Sequence, residues 1–377
     1  MNAANDIDAN SSQVISGIPI RNIWLLMLYA SDLYRDLGKG NYSVEEAPDE
    51  IPDLVAQMLC QAVEQRIRRN LSYGYQLREE AVSRVRGRIN HLETKRKQLL
   101  EKGRVHCLFG ELSVNTPRNR YAKAALDALT TLVKPDLSRS CASLAKQLFM
   151  MGVVGRKPDA VTMTKEVFGR HDIDDKQMVA LAHLAFELKL PTQMVGNHRL
   201  QTPEQNTVFL RKLFEKGVAG LYAVSLRPKG WSVRAGTKLD WQVEACSDGV
   251  NSILPSMTTD ITLENDNQQI VIDTKFNSVL TRGWYRDNTI RSGYLYQMYA
   301  YLRSQERASE PKSLKSTGIL LHPCVAEALD EAVTIQGHKI RFVTVDLCDT
   351  ASRVHDSLLQ IVGSGNSVEA QALGFRH

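Results

Sequence analysis

Two aspartates and a lysine fall close together in the stretch TTDITLENDNQQIVIDTKFNS, residues 258–278. Asp260 lies in its first half, and Asp273 and Lys275 come directly after the apolar run 270–272. Residues two apart on a β-strand point to the same face, so Asp273 and Lys275 are predicted to project together. A neighbouring strand would bring Asp260 alongside them. The sequence therefore predicts two carboxylates and an ammonium in one site.

This group of side chains is suited to metal-assisted phosphodiester cleavage. Mg2+ prefers oxygen ligands and keeps several waters, so Asp260, Asp273 and the backbone carbonyl of Thr274 are predicted to hold it, or Mn2+ in its place. The ion would polarise the scissile phosphate and activate a water, while Lys275 orients that water or stabilises charge on phosphorus. The alternative is an ordinary ion pair at a strand end, because a short motif often matches by chance.

The elements that must position these residues can be read from the surrounding pattern. Residues 258–263 and 270–275 are β-branched and apolar and flank a polar turn, which predicts a hairpin. The periodicity of the rest of the second half predicts helices at 204–222, 293–303 and 350–362, and strands at 222–226, 232–234, 318–322 and 340–347. Glu215 lies on the first of these helices. This order predicts an α/β layer arrangement around a central mixed sheet flanked by helices.

The first half of the chain is predicted to be mainly helical, with a small β insertion at 71–89. Its predicted helices cover residues 18–38, 51–69, 115–133, 140–151 and 175–190. Between Arg84 and Arg104 the chain has eight Lys or Arg against two acids. Such a run is most often a solvated face, and the alternative is a surface that contacts phosphates or a partner.

These patterns define a domain organisation. We predict a disordered N-terminus at 1–16, an N-terminal domain at 17–190, a linker at 191–202 and a C-terminal domain at 203–377.

Composition limits the function classes. The 47 basic and 42 acidic residues give a net charge of +5, which permits a nucleic-acid partner without requiring one. The polar N-terminus lacks the features of a signal peptide, the longest apolar run (23–30) is too short to span a bilayer, and the six cysteines form no CxxC pair. We therefore expect a reduced, cytoplasmic protein with no membrane contact. No G-x-x-x-x-G-K-[ST] motif is present, so the chain itself is expected to bind no nucleotide.

Several stretches together resemble a known family. An acid-bearing helix, an Asp-bearing strand, an Asp-x-Lys strand and a helix follow each other in the order of the PD-(D/E)xK nuclease fold. More narrowly, the chain resembles McrC, the nuclease subunit of McrBC-type modification-dependent restriction systems. The stretches that carry this resemblance are IPIRNIWLLMLYA (18–30), RGRI (86–89), NTPRNRYAKAAL (115–126), LPSMTTDITL, IVIDTKF, GYLYQMYAYL (293–302) and GILLHP (318–323).

The resemblance implies a function for each half. The C-terminal half would be an endonuclease acting on double-stranded DNA, and the N-terminal half would dock on McrB, a hexameric AAA+ GTPase, and stimulate its nucleotide hydrolysis. Asp260 and Asp273 become metal ligands and Lys275 the catalytic lysine. Gln297 matches a glutamine that this fold places near the site, or else it belongs to the polar face of a Tyr-rich core helix. Glu215 would contribute to the metal through a water.

Two other functions stay open at this point. The chain could be a regulatory adaptor of the motor with a vestigial nuclease fold, although the intact set of Asp260, Asp273 and Lys275 argues against this. It could also bind nucleic acid without any motor partner.

Overall fold

The computed structural model describes residues 14–31, 47–196, 203–278, 280–281, 289–324 and 328–363. The chain divides into two compact units. We call residues 1–51 and 190–377 the discontinuous unit, and residues 52–189 the inserted unit. This division corrects the predicted domain boundaries, because the start of the chain belongs with its second half.

The described residues form ten α-helices and thirteen β-strands. The helices are α1 (Ile20–Ala30), α2 (Ile51–Arg69), α3 (His91–Arg96), α4 (Pro117–Leu129), α5 (Pro135–Met150), α6 (Ala160–Thr164), α7 (Ile173–Gly196), α8 (Pro203–Leu226), α9 (Ser292–Ser304) and α10 (Ala351–Gly363). The strands are β1 (Val14–Ile15), β2 (Ile18–Pro19), β3 (Gly74–Val82), β4 (Arg88–Ile89), β5 (Val105–Ser113), β6 (Ser232–Leu239), β7 (Met257–Glu264), β8 (Gln269–Thr274), β9 (Leu280–Thr281), β10 (Thr289–Ile290), β11 (Thr317–Pro323), β12 (Asp330–Ile335) and β13 (His338–Val345).

Helix α1 belongs to the discontinuous unit because it packs closely against α8. Nearly every residue of α1 is buried. Gly220 of α8 lies so close to α1 that a Cβ atom there would be 1.8 Å from the Tyr29 carbonyl oxygen. At the other end of α1, the Asn22 amide donates to the carbonyls of Leu347 and Asp349, both at 2.8 Å. The first helix is therefore held by elements that follow it by about two hundred residues or more.

A six-stranded mixed sheet forms the centre of the discontinuous unit, in the order β12-β13-β11-β8-β7-β6. Strand β11 runs parallel to β8 and β13, and the other neighbours are antiparallel. The predicted hairpin is confirmed as β7 and β8, paired from Glu264↔Gln269 to Ile261↔Ile272. Strand β8 is central and buried on both faces.

Helices cover both faces of this sheet. On β13, Ile340 and Phe342 point toward α9, while the intervening Arg341 donates to a carbonyl of α10. The hydroxyl of Tyr222 in α8 donates to another carbonyl of α10, so α8 and α10 pack together. The cluster on the α9 side consists of Leu239, Met257, Val271, Met298, Tyr301, Leu302, Leu320, Ile340 and Phe342. The predicted α/β class, with a mixed sheet flanked by helices, is confirmed.

The inserted unit is mainly helical and contains a three-stranded sheet in the order β3-β5-β4. Helix α4 begins where the sequence predicts, because the Thr116 hydroxyl caps the amide of Asn119 and Pro117 occupies the first turn. The side-chain amide of Asn119 donates to the backbone carbonyls of Ser72 and Val114. The eight basic residues between Arg84 and Arg104 are all exposed.

Some local predictions are wrong. Residues 191–196 of the predicted linker continue α7, with Pro191 inside the helix, and 197–202 lie outside the described residues. The predicted strand 222–226 is the last part of α8, because its apolar residues are buried by helix packing. Of the predicted disordered segment 1–16, residues 1–13 lie outside the described residues, but Val14 and Ile15 form β1 and Ile15 is buried. Strand β12 was not predicted, since it is an exposed edge strand without an apolar pattern.

Membrane-spanning helices are not found among the described residues, because none of their helices is both long and apolar enough.

Candidate active site

The site lies where the pairing of β7 and β8 stops. The last paired residues are Ile261 and Ile272, so Asp260 and Asp273 come immediately after the ladder. The Asp260 carboxylate accepts two hydrogen bonds from Thr274, one from its amide and one from its hydroxyl, both at 2.7 Å. The side chain of Asp260 thus replaces the backbone partner that β8 has lost, and it lies beside the Asp-x-Lys segment as predicted.

Asp273 and Lys275 form a buried ion pair. Their side chains lie on the same side of the strand, with 2.7 Å between Lys275 Nζ and Asp273 Oδ2. Asp273 is 2% exposed and Lys275 is 9% exposed. The amide of Lys275 donates to the Leu321 carbonyl at 2.9 Å, which extends the contact with β11 beyond the end of β8. Two opposite charges are therefore kept in a largely dry environment, where charges are costly unless they are paired.

Helix α9 adds polar groups to the Lys275 ammonium. Gln297 Oε1 accepts a hydrogen bond from Lys275 Nζ at 3.2 Å, and Gln297 Nε2 donates to the Tyr301 hydroxyl at 2.7 Å. Tyr294 lies one turn before Gln297, and its ring centroid is 5.0 Å from Lys275 Nζ. Residues at these spacings share one face of a helix. The structure thus brings Gln297 into contact with the predicted catalytic lysine.

Glu215 lies on α8, close enough to Asp260 and Asp273 for their charges to shift its pKa. Burial raises the pKa of Glu215, the charges of Asp260 and Asp273 raise it further, and Arg211 and Lys216 oppose the shift. Burial likewise raises the pKa of Asp273 to about 6, against the effect of Lys275 and with a further increase from Asp260. Burial and the neighbouring carboxyl groups therefore raise the pKa values of Glu215 and Asp273, and the nearby cations offset only part of this effect.

The cluster of carboxyl groups and their oxygen donors fit a divalent cation. Asp260 and Asp273 supply the carboxylate oxygens that Mg2+ prefers. Among the described residues no three His, Cys, Asp or Glu side chains lie close enough together to hold a metal. Glu215 is therefore coupled electrostatically to the two aspartates without completing a ligand triad, and its role through a water stays a prediction. The carbonyl of Thr274 stays a predicted ligand.

Other residues at the site were not found from the sequence. Thr274 was singled out only for its carbonyl, whereas its hydroxyl and amide hold Asp260. Arg211 lies one turn before Glu215 and acts on both Glu215 and Asp273. His322 is buried on β11, and burial lowers its pKa to about 4, aided by Lys275 and Arg291. In the sequence, His322 belongs to the stretch GILLHP.

The fold and this site define an α/β protein with a buried carboxylate and lysine centre at the end of a sheet. Residues 4–321 match the family model described as McrBC 5-methylcytosine restriction system component. The chain belongs to this family, and the resemblance found in the sequence is confirmed.

Individual relatives can also be compared. The chain is 25% identical over 348 residues to the type IV methyl-directed restriction enzyme EcoKMcrBC of Escherichia coli (strain K12), which covers 91% of this chain and 97% of that protein. Among solved structures, one is a half-complex from a tetradecameric assembly of Thermococcus gammatolerans McrB AAA+ hexamers with bound McrC; it is 13% identical, covers 91% of this chain and 76% of that chain, and has a TM-score of 0.42. A second, of the Thermococcus gammatolerans McrBC complex, is 13% identical, covers 49% of this chain and 60% of that chain, and has a TM-score of 0.31.

Proposed function

We propose that this chain is the Mg2+-dependent DNA endonuclease subunit of a modification-dependent restriction complex, with a PD-(D/E)xK fold in its discontinuous unit. The observation that carries the proposal is the buried Asp273–Lys275 pair with Asp260 beside it, in a member of a restriction family. Buried ion pairs are weak sources of stability, and carboxyl groups with perturbed pKa values in such a cluster are typical of functional sites.

The residues divide the work of phosphodiester hydrolysis. Asp260, Asp273 and the Thr274 carbonyl would hold Mg2+, which would polarise the scissile phosphate and activate a water. Lys275 has three N–H donors, and its Nζ donates to Gln297 and forms an ion pair with Asp273. A further donor of this ammonium would serve a phosphate oxygen or the attacking water. Glu215 would receive or orient water on the α8 side of the site.

The proposal includes a partner that supplies nucleotide hydrolysis. An McrB-like hexameric AAA+ GTPase fits, because the chain belongs to the family of McrBC restriction system components. The chain has no G-x-x-x-x-G-K-[ST] motif of its own. In this proposal the inserted unit docks on the partner and stimulates its GTPase, double-stranded DNA is the substrate, and the complex works in the cytoplasm.

Plasmid cleavage tests the proposal. The full chain is combined with its neighbouring AAA+ protein, Mg2+ and GTP or ATP, on methylated and unmethylated DNA. Asp273→Asn should lower cleavage by about a hundredfold or more, since it removes a charged ligand, while stimulation of the NTPase is retained. The matched control is Asp266→Asn in the exposed turn of the same hairpin, which should cleave like the wild type.

The outcomes separate the alternatives. Undiminished cleavage by Asp273→Asn would show that this site does not catalyse DNA cleavage. Stimulated NTP hydrolysis without any cleavage by the wild type would favour a regulatory adaptor. Nucleic-acid binding without nucleotide-dependent association would favour a binding protein that has no motor partner.

A further inference from the structure

The Lys275 ammonium has a neighbour whose role the proposed reaction leaves open. The neighbour is Tyr294, whose ring centroid lies 5.0 Å from Lys275 Nζ. The Lys275 side chain is 11% exposed. Cations within about 6 Å of an aromatic centroid are attracted to the face of the ring, more strongly when water is excluded. Asp273, Gln297 and Tyr294 therefore contact the ammonium together.

Tyr294 is itself held in place at its hydroxyl end. Asn277 Nδ2 donates a hydrogen bond of 2.6 Å to the Tyr294 oxygen. The backbone carbonyl of Asn277 lies 2.9 Å from His322 Nδ1, and since a carbonyl only accepts, this nitrogen carries the proton. The His322 ring also lies 6.0 Å from the Tyr294 ring, centroid to centroid.

This arrangement joins three elements around one side chain. Asn277 follows β8 by three residues, His322 lies on the neighbouring strand β11, and Tyr294 is in the first turn of α9. The buried His322 is neutral near pH 7 because burial and the nearby cations lower its pKa to about 4. It can therefore lie near Lys275 without adding a competing positive charge.

We propose that Tyr294 is a positioning residue for Lys275, its ring bearing on the ammonium and its hydroxyl fixed by Asn277, which His322 holds through the backbone. The proposal rests on the proposed function insofar as Lys275 is the catalytic lysine. Tyr294 acts through Lys275 and does not touch the reacting atoms.

The test compares Tyr294→Leu, which removes the ring, with Tyr294→Phe, which keeps the ring and loses only the hydroxyl. In the complete complex with Mg2+ and nucleotide, Tyr294→Leu should lower the single-turnover cleavage rate about tenfold. DNA affinity and NTPase stimulation should stay within about twofold, because binding does not depend on the lysine geometry. Tyr294→Phe and Asn277→Ala each remove the hydrogen bond between these two side chains but keep the ring, so both should lose an intermediate amount of the rate.

Tyr299→Leu is the matched control, because Tyr299 lies on the same helix and its hydroxyl bonds to Gln336 instead. It should destabilise α9 comparably and leave the cleavage rate within about twofold. A general loss of helix packing would lower the rates of Tyr294→Leu and Tyr299→Leu alike, and that result would overturn the proposal. An unchanged rate in Tyr294→Leu would overturn it as well.

A second readout is independent of cleavage. Lys275 can be labelled with an amine-reactive ester and quantified by mass spectrometry. Labelling should increase several-fold in Tyr294→Leu but not in Tyr294→Phe or Tyr299→Leu. If wild type cuts no DNA but this labelling pattern holds, the proposed function fails and the positioning role stands. Equal labelling of wild type and Tyr294→Leu would refute the positioning role.

Discussion

Asp260 owes its orientation to Thr274, whose amide and hydroxyl both donate to the same carboxylate oxygen. Thr274→Val keeps the shape of the side chain and the hydrogen bond from the backbone amide but removes the hydroxyl. A hydrogen bond to a charged group contributes about 1.5–3 kcal/mol, so a less well-held Asp260 should slow cleavage roughly tenfold. The rate under single-turnover conditions measures this effect.

Thr258→Val serves as the comparison for that variant, since Thr258 is an exposed threonine on β7. It should cleave like the wild type. Equal rates for Thr274→Val and wild type would mean that the hydrogen bond from the Thr274 backbone amide is sufficient to orient Asp260.

The raised pKa of Asp273 would link the proposed metal binding to pH. Because burial raises its pKa to about 6 from an ordinary value of 3.8, the folded chain binds this proton more tightly than the unfolded chain does. Without metal, this group therefore makes the free energy of unfolding decrease as pH rises from about 4 to about 6. A cation that binds the ionised carboxylate reverses this loss above about pH 6.

Thermal unfolding with and without Mg2+ measures that linkage. Addition of Mg2+ should raise Tm by a few degrees at about pH 7.5 and by much less at about pH 5. Asp273→Asn should abolish the increase, and Asp266→Asn should keep it. A Mg2+ effect of the same size at both pH values would argue against Asp273 as a ligand.

The sequence reveals those site residues that are close together along the chain. Asp273 and Lys275 are two apart on one strand, and a short turn joins them to the strand of Asp260, so local geometry alone predicts their meeting. Glu215 and Gln297 lie on separate helices and were associated with the site through the family resemblance. His322 and Tyr294 could not be predicted, because a parallel strand and a helix packing bring them to Asn277.

Elements with a clear apolar period were predicted well. Helix α2 has the predicted bounds, and α9 and β11 differ from their predicted bounds by one residue at each end. The end of α8 was predicted as a strand, because the sequence YAVSL is apolar without showing which partner buries it. Only the packing of α1 and α10 against α8 decides that it is helical.

Close packing at the element scale depends on Gly220 of α8. Gly220→Ala would place a methyl group 1.8 Å from the Tyr29 carbonyl oxygen, which belongs to backbone and cannot move aside as a side chain can. The helices must separate, at a cost of about 1–3 kcal/mol or more in the free energy of unfolding. Urea unfolding of the full chain measures this.

Gly363→Ala at the end of α10 is the control for Gly220→Ala, because a Cβ there meets no atom of the described residues within 4 Å. It should be neutral or slightly stabilising. Loss of stability in Gly363→Ala equal to that in Gly220→Ala would show that helical glycines matter for a reason other than contact with α1.

At the scale of the whole molecule, the start of the chain belongs to the discontinuous unit, whose remaining residues follow the inserted unit. The predicted boundary between 190 and 203 followed the change from helical to mixed patterning, which is a local property of the sequence. In the structure, α1 is buried against α8 and the segment that follows β13. These contacts join residues far apart in the sequence, so local patterning could not predict them. The boundary at residues 189 and 190 even falls inside α7.

Truncation tests this organisation. Residues 203–377 alone lack α1, so the apolar surface that α1 covers on α8 would be exposed, and this fragment should aggregate or remain unfolded. A chain in which residues 52–189 are replaced by a flexible linker of about 20 residues keeps α1 and should fold cooperatively. Circular dichroism and urea unfolding distinguish the two. If the fragment 203–377 folded as stably as the linked chain, α1 would be an accessory to the discontinuous unit and no longer part of its core.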